Sequence, residues 1–489
     1  MRYLLGIDFG GGASKATLLS ECGEIIAEST VEYPTYHPFP GACEQKPEEW
    51  VAALRRNVKA VLEKSGILSK DIVCIAIDSA THTAVLCDEE KHPLRPAIHW
   101  TDSRSVEQVQ RLQTPEYSWI TAQSYHKPDT IWTLPQLLWI REKEPEIFTR
   151  LKYLFFEKDY IRYCLTGVYC TDNIEAEGSM FFDLNKQDWS PELCGLAGIS
   201  REQLPPLVRS TDFVGEITRE AAEFTGLSCG TPVICGTTDT ALEVFAAGAV
   251  RPGQMTVKLA TAGRICVISE KAYPHPQLIN YSHIAEGLWY PGTATKSCAA
   301  SYRWYRDTFG ENYEELNAGA EEVSPGAGGL MFHPYLNGEL TPYGDPKLRG
   351  SFVGVRALHE KRHFTRAVLE GISMSLLDCL EEIRKIGMPV GQEATLIGGG
   401  AKGALWRQIT ADMLGMTLKT TVSSDSSLGA AMLAGIAMGI FADPPEAVDK
   451  CVKVKDITTP NSENTALYRE IYLRYRAVHD ALAPIYRQM

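Results

Sequence analysis

The chain has 489 residues, 44% of them hydrophobic and 22% charged, with a formal net charge of -13. That length exceeds one ordinary hydrophobic core, so two domains of roughly 240 residues each are the default for a soluble globular protein. The acidic balance, without a block of Lys or Arg, argues against a nucleic-acid or anionic-membrane surface, yet leaves room for a nucleotide in a local amide-lined pocket with a divalent ion.

The 13 cysteines are an odd number without a CxxC pair, which reads as reduced thiols in a cytoplasmic protein and as no metal cluster. The opening MRYLLGIDFGG carries Asp8 inside its apolar run and is not a signal peptide. Ser426–Ala442, uncharged but broken by glycines, is too short to span a bilayer comfortably and reads as a buried helix. The expected partners are a small molecule and neither nucleic acid nor membrane, with a homodimer left open.

Tyr3–Leu19 reads as strand, glycine-rich turn and strand (YLLGID, FGGGAS, KATLLS). Consecutive glycines let backbone N–H groups close on a phosphate, Lys15 adds a point charge, and Asp8 is placed to hold a Mg²⁺-bound water; the same pattern also suits a plain hairpin turn. Glu24–Val31 continues an antiparallel meander. Pro47–Gly66 has apolar residues at helical spacing and a glycine stop, and Asp71–Ile77 is a buried strand that begins a parallel α/β arrangement. That strand runs into Asp78-Ser79-Ala80-Thr81-His82-Thr83, a polar cluster where α/β folds place ligands, although His82 also fits a satisfied loop histidine. Ile98–Arg104 is a second cluster. Trp100 with Asp102 and Arg104 suits a sugar, offering an apolar face and charged groups for hydroxyls, or else a core Trp100 and a surface Asp102–Arg104 pair.

Thr130–Glu142 and Leu151–Leu165 read as helices, and Thr171–Pro206 as an irregular insertion. In VICGTTDTALEVF, a β-branched run delivers Asp239 to the start of a helix. There a carboxylate is held ionised for general-base or metal-water chemistry, or simply caps the helix. Gln254–Leu259 and Arg264–Ile268 form a second hairpin around Ala260–Gly263, a repeat of the N-terminal design that suggests two related domains. Pro325–Gly350 is loop-rich and Phe364–Ile386 a long helix. Glu393–Gly415 gives a third glycine turn between strand and helix, an anion or adenine-ribose seat that is not a Walker A loop.

The order of LLGIDFGGGASKATLL, LRPAIHWTDSR, PVICGTTDTALEVFAAGAVRPGQ, LNGELTPYGDP and LIGGGAKGALWRQITADMLG resembles the FGGY carbohydrate kinases. Gly350–Val355, His363-Phe364 and Ala367–Gly371 follow that family's second signature, and PLRPAIHWTDSR and YLNGELTPYGDP look most like its xylulokinases, with gluconate kinases as near neighbours. The resemblance implies an α/β fold of two ribonuclease-H-like (actin-like ATPase) domains flanking a deep cleft, expected at residues 1–247 for the sugar and 248–489 for ATP. It implies ATP and Mg²⁺ as cofactors and phosphorylation of a free sugar hydroxyl, most of all that of a pentulose such as D-xylulose, with a non-catalytic nucleotide-binding regulator as the reading from another class. Asp239 matches the general base, Asp8 the carboxylate that helps to hold Mg²⁺, and Asp239 also faces that ion, through water. Gly12, Ser14 and Lys15 match the first phosphate loop, Thr261 the second, and Gly399, Gly400 and Ala401 the adenosine-side turn. Thr81, His82, Trp100 and Asp102 fall on sugar-contacting positions. The chain departs from the family at Gly11-Gly12, where a Thr pair is usual, and at Gln136, Ala262 and Leu340. Thr81-His82-Thr83 stands where xylulokinases have Met-His-Gly.

Overall fold

The computed structural model describes every residue except Glu311. Its contacts divide the chain into two compact units. The first comprises Met1–Val250, Asn280–Leu288 and Ser423–Val452, and the second Arg251–Ile279, Trp289–Val422 and Lys453–Met489.

In the first unit, strands β1 (Tyr3–Phe9), β2 (Ala13–Ser20), β3 (Ile25–Glu32), β4 (Ile72–Ser79), β5 (Phe213–Glu216) and β6 (Pro232–Ile234) form one sheet of order β5-β6-β4-β1-β2-β3. The first three strands are an antiparallel meander, whereas β4 runs parallel to β1 and β6 parallel to β4. Period-two alternation sends Leu5, Ile7 and Phe9 to one face, under Trp50, Leu54 and Val58 of the Pro47–Ser65 helix. Leu4, Cys74, Ala76 and Ile234 line the other face, beneath the helices Asp239–Ala246 and Ser426–Ala437. The latter helix lies directly on β1, because Gly6 has no side chain: a Cβ there would stand 1.9 Å from the Ser427 carbonyl oxygen. The small residues of SSLGAAMLAGIA thus serve as a buried helix, as their composition suggests.

The second unit repeats the design. Strands β7 (Met255–Leu259), β8 (Gly263–Val267), β9 (Gly292–Ala294), β10 (Glu393–Ile397), β11 (Thr417–Thr421) and β12 (Val454–Thr458) make a sheet of order β9-β8-β7-β10-β11-β12. Again a meander of three antiparallel strands joins two parallel strands and an antiparallel edge. The helix Lys361–Ile386 buries Val368, Ile372, Leu376, Leu380 and Ile383 in the core of this unit and ends at Gly387, whose φ is 83°. Two six-stranded sheets of the same order of pairing confirm the reading of the two hairpins as a repeat.

Three local expectations are corrected. Leu151–Leu165 is not one helix: Tyr153–Phe156 is a strand paired with Ala84–Cys87, and the helix begins at Glu157. The aromatic run YLFF finds a strand partner far off in sequence, and that pairing overrides the helical pattern. Thr171–Pro206 contains a short helix, Asn173–Gly178, and a second, Pro191–Ala197, as well as a small hairpin between Phe182–Asp183 and Asp188–Trp189. The loop-rich 325–350 stretch includes a strand, Met331–His333, paired with Ser351–Val353. Among the described residues no helix is long and apolar enough to cross a membrane.

Candidate functional site

The register of the first sheet assembles the site. Asp8 at the end of β1 lies opposite Lys15 of β2 on one side and Asp78 of β4 on the other. In-register neighbours share a face, so all three side chains emerge on the face covered by the Asp239–Ala246 and Ser426–Ala437 helices. Lys15 Nζ forms an ion pair with Asp425, the N-cap of the Ser426–Ala437 helix. Asp239 enters from β6 two residues beyond Thr237, and the neighbouring Thr238 pairs with Ser79 at the end of β4.

The helix cap is Thr238, whose hydroxyl accepts from the Ala241 N–H, and Asp239 is the first residue inside the helix. Asp239 Oδ1 accepts from its neighbour's Thr240 N–H at 2.7 Å and from the Thr81 hydroxyl at 3.0 Å. The cap role is therefore taken, and the carboxylate of Asp239 is aimed by a helix N-terminus and by Thr81. Gly236 permits this turn: its φ is 72°, and a Cβ would stand 2.0 Å from the Ile77 carbonyl oxygen.

Asp8 and Asp78 are 4% and 0% exposed, and neither Asp78 oxygen nor Asp8 Oδ1 has a hydrogen-bond partner. Burial, then the charges of Asp425 and Asp239, push Asp8 up to about 7 against the pull of Lys15, while burial and Asp8 raise Asp78 well above the usual carboxylate range. The two carboxyls approach one another, and since ionised carboxylates are both acceptors, their contact is a hydrogen bond only when one of them carries a proton. Sequence reasoning placed Asp78 in a strand-end polar cluster without giving it a role, and it passed over Asp425. The repeated Ile-Asp at the ends of two buried strands, YLLGIDF and IVCIAIDS, was the available signal for Asp78.

The remaining residues of the first unit divide. His82 is buried, with φ 55°; its N–H donates to Glu175 Oε1 at 2.5 Å, its carbonyl accepts from the Thr133 hydroxyl at 2.7 Å, and its ring packs 4.9 Å from that of Trp132. Burial lowers its pKa to about 3, so the imidazole is neutral. Trp100 is 37% exposed, not a core residue, and Asp102–Arg104 is a buried pair, not a surface one. Asp102 Oδ2 accepts from the Cys43 N–H at 2.6 Å and Arg104 Nε at 2.9 Å, and Oδ1 from the Arg104 N–H at 2.8 Å, so this carboxylate shapes its own turn. That turn lies against the first glycine loop, since His99 Cε1 would be 3.4 Å from a Cβ on Gly11. Gly12 has open space around it, whereas the Ser14 hydroxyl is buried on the opposite face and accepts from Asn57 Nδ2 at 2.8 Å.

In the second unit, Thr261 sits at the β7–β8 turn and its carbonyl accepts from the Cys298 N–H at 2.9 Å. The Gly398–Ala401 turn is brought beside it. Gly398 has φ 89°, and a Cβ there would meet the Leu259 carbonyl oxygen at 2.6 Å, while one on Gly400 would meet Leu259 Cβ at 2.8 Å. Gly399 faces open space. The glycine turn thus adjoins the end of β7, two residues before Thr261.

Residues 3–246 match the N-terminal domain, and residues 233–438 the C-terminal domain, of the FGGY family of carbohydrate kinases. The chain belongs to that family. This FGGY kinase is 33% identical to the xylulose kinase of Lactococcus lactis subsp. lactis, covering 100% of this chain and 99% of the relative. To the gluconokinase of Bacillus subtilis it is 30% identical, with 96% and 94% covered. A ligand-bound xylulose kinase structure from Lactobacillus acidophilus superposes with a TM-score of 0.93 at 26% identity, over 100% of both chains. Its neighbours are FGGY sugar kinases of the actin-like ATPase fold, and the protein is a sugar kinase most like the xylulose kinases. Sugar kinases of this family use ATP, and the family match indicates an enzyme.

Proposed function

We propose that this kinase phosphorylates a free pentulose, D-xylulose foremost, to its 5-phosphate. Support comes from the xylulose kinase relatives, near 32% identity over nearly the whole chain. The observation that carries the reading is Asp239 at a helix N-terminus, held by the Thr81 hydroxyl in the sheet-end cluster of Asp8, Asp78 and Lys15. Phosphoryl transfer has a loose transition state, so positioning and charge neutralisation account for most of the catalysis. Asp239 would align one sugar hydroxyl and accept its proton, with Thr81, His82 and Trp100 around the sugar. Asp102 would act by shaping the turn that bears Trp100. In the first unit, Gly12, Lys15 and the backbone at Ser14 would bind phosphate; in the second, Thr261 would bind phosphate and Gly399, Gly400 and Ala401 would adjoin the adenosine.

A cation fits this cluster. Asp8, Asp78, Asp239 and Asp425 outnumber Lys15, and the buried Asp8 Oδ1 has no protein partner. Among the described residues no three acidic, His or Cys side chains are arranged to hold a metal directly, so Asp8 and Asp239 would hold Mg²⁺ through water. The ion supplies charge neutralisation on the β- and γ-phosphates.

Gluconate is the second reading, favoured by the Bacillus subtilis gluconokinase relative. The deciding experiment is coupled ADP release with Mg-ATP across free pentuloses, hexuloses, polyols and sugar acids. Strong turnover of D-xylulose, abolished by Asp239→Ala, is the expected result; a sugar acid turned over best would replace the pentulose reading.

A further inference from the structure

Glu157 is the first residue of the Glu157–Thr166 helix, and its N–H donates to the Thr83 carbonyl at 2.9 Å. The next N–H, that of Lys158, donates to Ser79 Oγ at 3.0 Å. The start of this helix is thereby fastened to the 79–83 loop from which Thr81 reaches Asp239. The Glu157 side chain is fully buried, and neither of its carboxyl oxygens has a hydrogen-bond partner in the protein. Around the same loop, Glu175 Oε2, His82 Nδ1 and Thr83 Oγ1 are also buried without a partner. Buried polar atoms are almost always paired, so this concentration marks where other hydrogen-bonding groups belong. Burial first, then the nearby charges of Asp239 and Asp8, raises the pKa of Glu157, which places its carboxyl within electrostatic reach of both.

We infer that Glu157 is a further substrate-contacting residue and that, with Glu175, it selects neutral polyhydroxyl substrates over sugar acids. The inference deepens the sugar-kinase reading above and rests on it. Each sugar hydroxyl both donates and accepts, so a polyol satisfies carboxyl oxygens, an imidazole nitrogen and a threonine hydroxyl together. A substrate carboxylate has no such match. The buried cations of this unit are committed elsewhere: Lys158 to Asp159 and Asp172, Arg162 to Asp159, and Arg104 to Asp102 and Glu44. Lys15 is paired with Asp425, and His82 is neutral.

The test compares wild type with Glu157→Gln, which keeps the shape and an acceptor oxygen, on ketopentoses, pentitols and aldonates of matched carbon number. For wild type, kcat/KM on the best neutral substrate should exceed that on the matched aldonate by about a hundredfold or more. Glu157→Gln should raise the sugar KM about tenfold and narrow that preference, with the ATP KM unchanged within about twofold. The non-polar Glu157→Leu should raise the sugar KM further, and calorimetric binding of the sugar without nucleotide should weaken in parallel in both variants. An unchanged sugar KM in Glu157→Gln, or an aldonate turned over as well as its neutral counterpart, overturns the inference. Wild type that turns over no sugar at all would instead overturn the reading on which it rests.

Discussion

Lys15 and Asp425 stand 410 residues apart in the chain and form an ion pair inside the first unit. The pair ties the hairpin after β1 to the helix that lies on Gly6, and it sets a cation beside Asp8. Burial pulls Lys15 toward the neutral amine, but Asp425 and Asp8 outweigh it and hold the ammonium charged. Lys15→Met should therefore leave Asp8 harder to ionise. The acid limb of the kcat/KM profile should move up by about half a pH unit to one unit. A pH–rate series on both proteins at fixed Mg-ATP checks this, and coincident profiles would mean that Lys15 does not act on Asp8.

Asp239→Ala should lower kcat by about a hundredfold or more, the range lost with a general base, while the ATP KM changes by less than about twofold. Thr81→Val removes only the hydroxyl that donates to Asp239 Oδ1, so it should lower kcat by less, about tenfold. Steady-state kinetics separate the two effects, and near-normal turnover in Asp239→Ala would remove Asp239 from its proposed role.

Gly236→Ala tests how Asp239 is delivered. The added methyl would fall 2.0 Å from the Ile77 carbonyl oxygen at a φ of 72°, so β6 must move away from β4. A loss of about 1–3 kcal/mol in unfolding free energy is expected, together with a fall in kcat that Mg²⁺ does not restore. Urea unfolding and kinetics on the same preparation measure both.

Much of this architecture is legible in the sequence because it is local. The two hairpins, the strand ending at Ile77 and the capped helix after Pro47 each announce themselves by period, glycine and apolar run. Asp239 is legible for the same reason. Partnerships set by distant pairing are not. Nothing in SSDSSLG says that Asp425 returns to Lys15, nor does YLFF announce its pairing with Ala84–Cys87. Asp102 and Arg104 read as sugar contacts or else as a surface pair, since sequence carries no measure of depth, and Ser14 reads as a loop residue although alternation turns its hydroxyl toward Asn57.

The buried carboxyls also contribute to the pH dependence of stability. Folding raises Asp8 from 3.8 to about 7, Glu177 from 4.5 to about 8 and Glu339 from 4.5 to about 7, burial being the first cause in each. Over the interval between the unfolded and folded values the native state binds more protons than the unfolded chain. Stability from these groups is therefore present at low pH and lost as pH rises through their folded values. Buried His82, His99, His283 and His333, held neutral by burial, act in the opposite sense below about pH 6.5, so the carboxyl effect is read above it: the ligand-free protein should unfold at lower urea near about pH 8 than near about pH 7. Mg-ATP should narrow that difference, since a cation beside Asp8 favours its ionised form and lowers its pKa. Glu339 and Glu177 lie outside the Asp8 cluster, so Glu339→Gln should flatten the ligand-free dependence without altering the Mg-ATP effect. Urea midpoints across this pH range, with and without Mg-ATP, measure both slopes; a ligand-free midpoint that rises between about pH 7 and about pH 8 would show that these carboxyls do not hold protons in the native state.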